Sequence, residues 1–211
     1  MKIVREKGIQ IKTKPKYTYI GEFCEGLACV LLNGKWGFID KIGKEVIECK
    51  YDYVSDFHEG LACVHLNDKR FFIDATGKKV IERKCDYASD FHEGLAAICL
   101  NDKWFFIDKT GKEVIKLKYE NVFDFHEGLA AVKLNRKWGF IDKTGKEVIE
   151  CKYDDASDFH EGLARVQLND KWFFIDKNGK EVIECKYDYV SDFHEGLARV
   201  QLNDKWFFID K

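Results

Sequence analysis

The chain has 211 residues, 45% hydrophobic and 15% aromatic, with 35 basic against 37 acidic side chains and a formal charge of −2. That much apolar material excludes a disordered chain, and the interleaved charges leave no clustered positive face for nucleic acid. The opening MKIVREKGIQIKTKPKY breaks every apolar run with charge, so neither a signal-peptide core nor a membrane span is expected, and the reading is a soluble cytoplasmic protein without a membrane partner, bacterial in its preference for Lys over Arg.

Residues 1–22 read as a degenerate partial repeat or cap. Ile3-Val4-Arg5 resembles a strand remnant, Gly8–Pro15 a further strand, and Pro15-Lys16-Tyr17 matches the later Cys49-Lys50-Tyr51. From Phe23 onward the chain repeats. Phe23, Phe57, Phe91, Phe125, Phe159 and Phe193 recur every 34 residues, and DFHEGLARVQLNDKWFFID stands letter for letter at 158–176 and 192–210. Residues 23–192 are five complete units and residues 193–211 a partial sixth, together one continuous repeat domain.

A period of 34 also suits paired helices, so local chemistry decides. Each unit is rich in Val, Ile, Phe, Trp and Tyr, and glycines cut it into pieces shorter than a helix needs. The elements follow in order: strand A at Leu27–Leu32, an Asn33-Gly34 turn, strand B at Lys35–Lys41, a glycine-containing bulged turn, and strand C at Lys44–Cys49. A connector, KYDYVSDFHEG, leads to the next unit. Asn33-Gly34 is a strong two-residue hairpin signal because both residues accept positive φ. Asn-Asp in later units and Asn135-Arg136 suit that turn less well, with a four-residue loop as the alternative. One unit cannot bury its apolar face alone, so neighbours must complete the core. The expected fold is all-β: tandem three-stranded β-hairpin repeats in an open or curved solenoid-like array, with a closed six-unit ring or propeller-like toroid as the alternative.

Eight cysteines occupy five slots of the repeat, form no CxxC pair and exchange with Ala, Arg or Leu at equivalent positions. They read as small buried hydrophobes in a reducing compartment rather than zinc ligands or disulfides.

The unit resembles the WG-repeat (KWG-repeat) family of bacterial proteins. The match is carried by Phe23-x-Glu25-Gly26-Leu27-Ala28-x-Val30, Lys35-Trp36-Gly37-Phe38-Ile39-Asp40 and Val46-Ile47-x-x-Lys50-Tyr51-Asp52. It departs from the pattern where Trp-Gly survives only at Trp36-Gly37 and Trp138-Gly139, where Arg70-Phe71 replaces the pair in the second unit, and where the third-strand proline is kept only at Pro15. Phe cannot copy a glycine's conformations, so these changes bear on the local backbone. The resemblance implies a binding or scaffolding module.

Hairpin pairing opposes position 31 to 36 and 29 to 38, which puts Ala28, Val30 and Ile39 on one core face and Trp36 and Phe38 on the other. The slots facing the tryptophans turn polar towards the C-terminus. Trp36, Trp104, Trp138, Trp172 and Trp206, with Arg165, Arg199, Gln167 and Gln201, therefore form a candidate binding strip. The competing reading is that each Trp packs on the adjacent unit, with Arg covering it through a cation–π contact.

His58, His92, His126, His160 and His194 recur in Phe-His-Glu-Gly. Facing sheets lie ~10 Å apart, too far for a histidine ladder to share one metal ion, so these read as solvated turn residues within reach of the adjacent Glu. Ser55, Ser89, Ser157 and Ser191 read as turn formers. Every polar group is repeated, and no nucleophile elbow, phosphate loop or metal motif occurs. The expectation is a non-catalytic scaffold with no cofactor and no metal, binding a protein or peptide through its repeated β surface. Alternatives are glycan or small-ligand binding on the Trp/Arg strip, and end-to-end self-association as a structural protein.

Overall fold

The computed structural model describes residues 5–6, 9–10, 16–83 and 85–211. Arg5–Glu6 pairs antiparallel with Ile9–Gln10; the remnants expected at Ile3-Val4 and over most of Gly8–Pro15 lie outside the described residues. The chain divides into two compact units, residues 1–90 and 91–211.

All described regular structure is β, in small antiparallel sheets that follow one another along the chain. The first sheet orders Tyr19–Cys24, Leu27–Leu32, Lys35–Asp40 and Glu45–Tyr51 side by side. Strands A, B and C fall where the sequence places them. The connector is more than a loop: its middle supplies a short fourth strand to the following sheet, as Tyr53–Val54 does beside Leu61–Leu66 and Asp155–Ala156 beside Ala164–Leu168.

The A–B register is as expected, with Cys29 opposite Phe38 and Leu31 opposite Trp36. The turn outcome differs from expectation. Asn-Asp and Asn135-Arg136 keep the two-residue form, with φ near +50° at each Asn and +60° to +63° at the next residue. An incoming carboxylate helps hold them there. Asp154 accepts the Asn169 N–H and pairs with Lys137, and Glu120 accepts the N–H groups of Asn135 and Arg136. The B–C turn is the glycine-bulged hairpin: Asp142 Oδ1 caps the N–H groups of Thr144 and Lys146, and Gly145 takes φ +82°.

A sheet with a neighbour on each side is interior on both faces. Phe38, Ile47 and Tyr51 on the forward face of the first sheet pack with Val54, Phe57, Ala62 and Val64 of the second. The same slots recur in the second unit, where Phe140, Ile149 and Tyr153 meet Ala156, Phe159, Ala164 and Val166. Identical stretches thus recur because identical neighbours surround them, and each sheet supplies the apolar lining that its neighbour lacks.

The name-giving glycine has a spatial reason. Gly139 lies outside the positive-φ region, but a Cβ there would sit 2.5 Å from Ile149 O and 2.6 Å from Cys151 N, where strand Glu147–Tyr153 bulges towards it. The fifth sheet keeps the same pair of register shifts with Phe173 in that slot, so the bulge follows Glu-Cys-Lys-Tyr rather than glycine. Gly139→Ala is expected to lower stability by about 1–2 kcal/mol, the size of a modest overpacking strain, as read by urea denaturation; an unchanged midpoint would refute the close approach.

Candidate functional site

Trp36, Trp104, Trp138 and Trp172 pack in or against the clusters that join successive sheets, and Trp206 does not. Trp36 meets Tyr19 edge-on with ring centroids 5.4 Å apart. Trp104 donates its indole N–H to Glu120 O at 3.1 Å. Trp138 is buried against Phe123 at 4.7 Å, with the Lys133 ammonium 5.3 Å from its ring. Trp172 lies under the Arg165 guanidinium at 5.6 Å, and Trp206 under that of Arg199 at 4.7 Å. Gln167 and Gln201 stand opposite Trp172 and Trp206 in register. The structure therefore brings each Arg/Gln/Trp trio together. Arg165 is already engaged: Nη1 donates to Val190 O at 3.0 Å and Nε lies 2.9 Å from Asp192 Oδ1. Arg199 and Trp206 remain exposed.

The histidines sit in Glu-Gly turns in which both turn residues have positive φ. The 10 Å spacing estimated from facing sheets does not hold here. The His92 and His126 rings are 5.0 Å apart, and those of His126 and His160 5.5 Å, because these turns carry little bulk between them. Nε2 of His58, His92 and His126 approaches the next repeat's aspartate, as His126 does Asp158 at 3.7 Å. Among the described residues no group of three or more His, Cys, Asp or Glu could hold a metal ion.

The turn glutamate bonds onward rather than to its histidine. Glu127 accepts the Gly162 N–H at 3.0 Å and pairs with Lys177 at 3.1 Å. Burial raises its pKa, but Lys177 and the Gly162 N–H outweigh this and hold the carboxyl below its ordinary value. Ser157 Oγ accepts the Arg165 N–H and donates to Asp158 O, so these serines fasten strand starts. The cysteines are free thiols; burial pushes Cys63 up to about 12 and Cys151 up to about 11, which keeps them protonated and unreactive.

One place breaks the repeat. In the second repeat Arg70 occupies the tryptophan slot and Cys85 the tyrosine slot. In the first, fourth and fifth sheets these positions pair directly, Trp36 with Tyr51, Trp138 with Tyr153 and Trp172 with Tyr187. Beside Arg70 lies a cavity of about 260 Å³ lined by Tyr53, Ser55, Cys63, Arg70, Tyr87, Ala88, Ser89 and Asp90. The Arg70-Phe71 departure is visible in the sequence, yet reading along strands gives no hint of a void, because its walls come from two successive sheets.

The sixth sheet presents a second singular feature. Phe208 is 67% exposed, whereas Phe174, its counterpart one repeat earlier, is 1% exposed; Trp206 and Phe207 are also uncovered. On the first sheet Ile20 and Phe23 are exposed, at slots that are buried in the second unit as Val190 and Phe193.

Among solved structures the chain resembles propeller-like Hsv2 from Kluyveromyces marxianus (TM-score 0.58, 10% identity, 88% of this chain and 69% of that one). It is similarly close to Kluyveromyces lactis Hsv2p (0.58, 9%, 90% and 74%) and to a eukaryotic initiation factor (0.57, 11%, 88% and 62%). At such identities the likeness is one of fold. No curated protein matches the chain in sequence. The model of the WG containing repeat matches six times, over residues 10–36, 36–69, 71–104, 104–138, 138–172 and 172–206. With nearly the whole chain accounted for by its repeat, the protein belongs to the WG-repeat family.

Proposed function

We propose that the chain is a non-catalytic protein-interaction module whose partner is another chain carrying the same repeat, a second copy in the simplest case. The observation that carries this reading is the uncovered Trp206/Phe208 face, on which the counterpart of Phe208, Phe174, is interior in the fifth sheet. The repeat itself says what fits there: Phe174 is covered by Phe193 at 4.7 Å within a cluster that includes Val190. Phe23 and Ile20, exposed on the first sheet, stand in those two slots.

Charge agrees. Glu161 is held by the Gly196 N–H and Lys211 of the following sheet. Glu195 is the next in that series, and Gly26 and Lys41 of a second copy would supply the same groups. Likewise Arg165 meets Asp192, and Arg199 would meet Glu22. Light scattering behind size exclusion, over a wide concentration series, should give a mass that rises with concentration in wild type and stays monomeric in Phe208→Glu. A monomer throughout in wild type would refute the reading.

A further inference from the structure

The cavity beside Arg70 has an internal copy that shows what it is shaped to hold. In the fifth sheet the slot of Cys63 carries Arg165, whose guanidinium reaches Val190 O and the Asp192 carboxylate of the sheet that follows. Ala88 and Asp90 are the counterparts of Val190 and Asp192, and both line the cavity. The acceptor wall of a guanidinium site is thus present, with His58 Nε2 3.8 Å from one Asp90 carboxylate oxygen, while Cys63 is too short to occupy it.

The lining also includes a cation that the fifth sheet lacks. Arg70 replaces the tryptophan, and none of the ion pairs among the described residues involves it. A simple cation would be repelled by Arg70 and a simple anion by Asp90. A molecule with both charges satisfies each wall, and a guanidinium fork suits a carboxylate in two-point contact. Roughly 150 Å³ is enough to hold benzene, so a cavity of about 260 Å³ admits a larger molecule. Tyr53 and Tyr87 offer ring surface for its aliphatic part.

We propose that this cavity binds a small zwitterion of the arginine type, with its guanidinium or ammonium end at Asp90 and its carboxylate on Arg70. Binding is non-covalent, and the site is independent of the end faces invoked for assembly.

Calorimetric titration of the full chain tests it. L-arginine should bind wild type, with guanidinium chloride and acetate each at least tenfold weaker. The double variant Cys63→Arg with Arg70→Trp recreates the fifth sheet's Arg165/Trp172 pair and fills the cavity from within; it should lose L-arginine binding while melting no lower than wild type. Arg70→Gln, a milder change, should weaken binding at least tenfold. Absence of L-arginine binding to wild type, acetate binding as tightly as L-arginine, or undiminished binding by Arg70→Gln would each overturn the assignment.

Discussion

Replacing Phe174 by alanine is expected to destabilise the chain by about 3–5 kcal/mol, the range for a fully buried phenylalanine. The same replacement at Phe208 should change dilute protein by no more than about 0.5 kcal/mol, as for other exposed positions. The two residues sit in identical stretches, Trp-Phe-Phe-Ile-Asp, on strands of the same register. Strand propensity, hairpin turn and the partner on the preceding strand are therefore matched, and the difference measures what the sixth sheet lacks: the fourth strand, where Ile183 pairs with Phe174, and a following sheet, whose Phe193 ring lies 4.7 Å from Phe174. Urea denaturation followed by tryptophan fluorescence measures both. Because the chain has two compact units, the loss at Phe174 is expected first in the transition of residues 91–211. Equal losses at the two sites would mean that covering by a neighbouring sheet is not what holds a repeat together. A loss at Phe208 that grows with protein concentration would link the same side chain to assembly through mass action.

Phe174 and Phe208 also mark where sequence reading succeeds and where it stops. Strand identity, hairpin register and the glycine-bulged B–C turn are local consequences of period-two patterning and turn chemistry, so they can be read from one repeat alone. The buried Phe face is less accessible. Alternation along a strand marks Ala28, Val30 and Ile39 as core, but it cannot tell that Phe38 and its repeats are equally buried, since that depends on a second sheet arriving from the other side. The two-residue turn at Asn135-Arg136 depends on Glu120, fifteen residues away, and the crowding of the histidines on how neighbouring turns approach. The Arg165/Trp172 pairing is legible as a residue pattern; that Arg165 donates to Val190 O and stands in ion-pair range of Asp192 is a fact of the next sheet. Wherever one repeat sets the outcome the letters suffice, and wherever two repeats meet they do not.

Asp158 is such a meeting point, and the cost of leaving it unpaired should be measurable. Its Oδ1 is buried without a hydrogen-bond partner. Burial raises its pKa to about 6, Asp124 and Asp192 push it the same way, and His160 and His92 oppose them without prevailing; His126 faces it at 3.7 Å. Asp192, one repeat on, is met by Arg165, but the corresponding slot before Asp158 is Ala131. A carboxyl with a raised folded pKa binds its proton more tightly in the folded state. It therefore costs nothing below its ordinary value, and the penalty grows as pH rises from about 4 and is complete above about 6. A rise of that size in the folded state corresponds to about 3 kcal/mol. Asp158→Asn is accordingly expected to stabilise the protein by about 3 kcal/mol at pH 7.5 but only about 1 kcal/mol at pH 4.5. Ala131→Arg should recover part of the same gain by supplying the missing cation. Carboxylates held low, such as Asp154 beside Lys137 and Glu127 beside Lys177, act with the opposite sign and lose their contribution only as pH falls below about 4. Urea midpoints of wild type and the two variants at both pH values decide the matter. If the gain of Asp158→Asn were the same at pH 4.5 and 7.5, its origin would be packing rather than the buried charge.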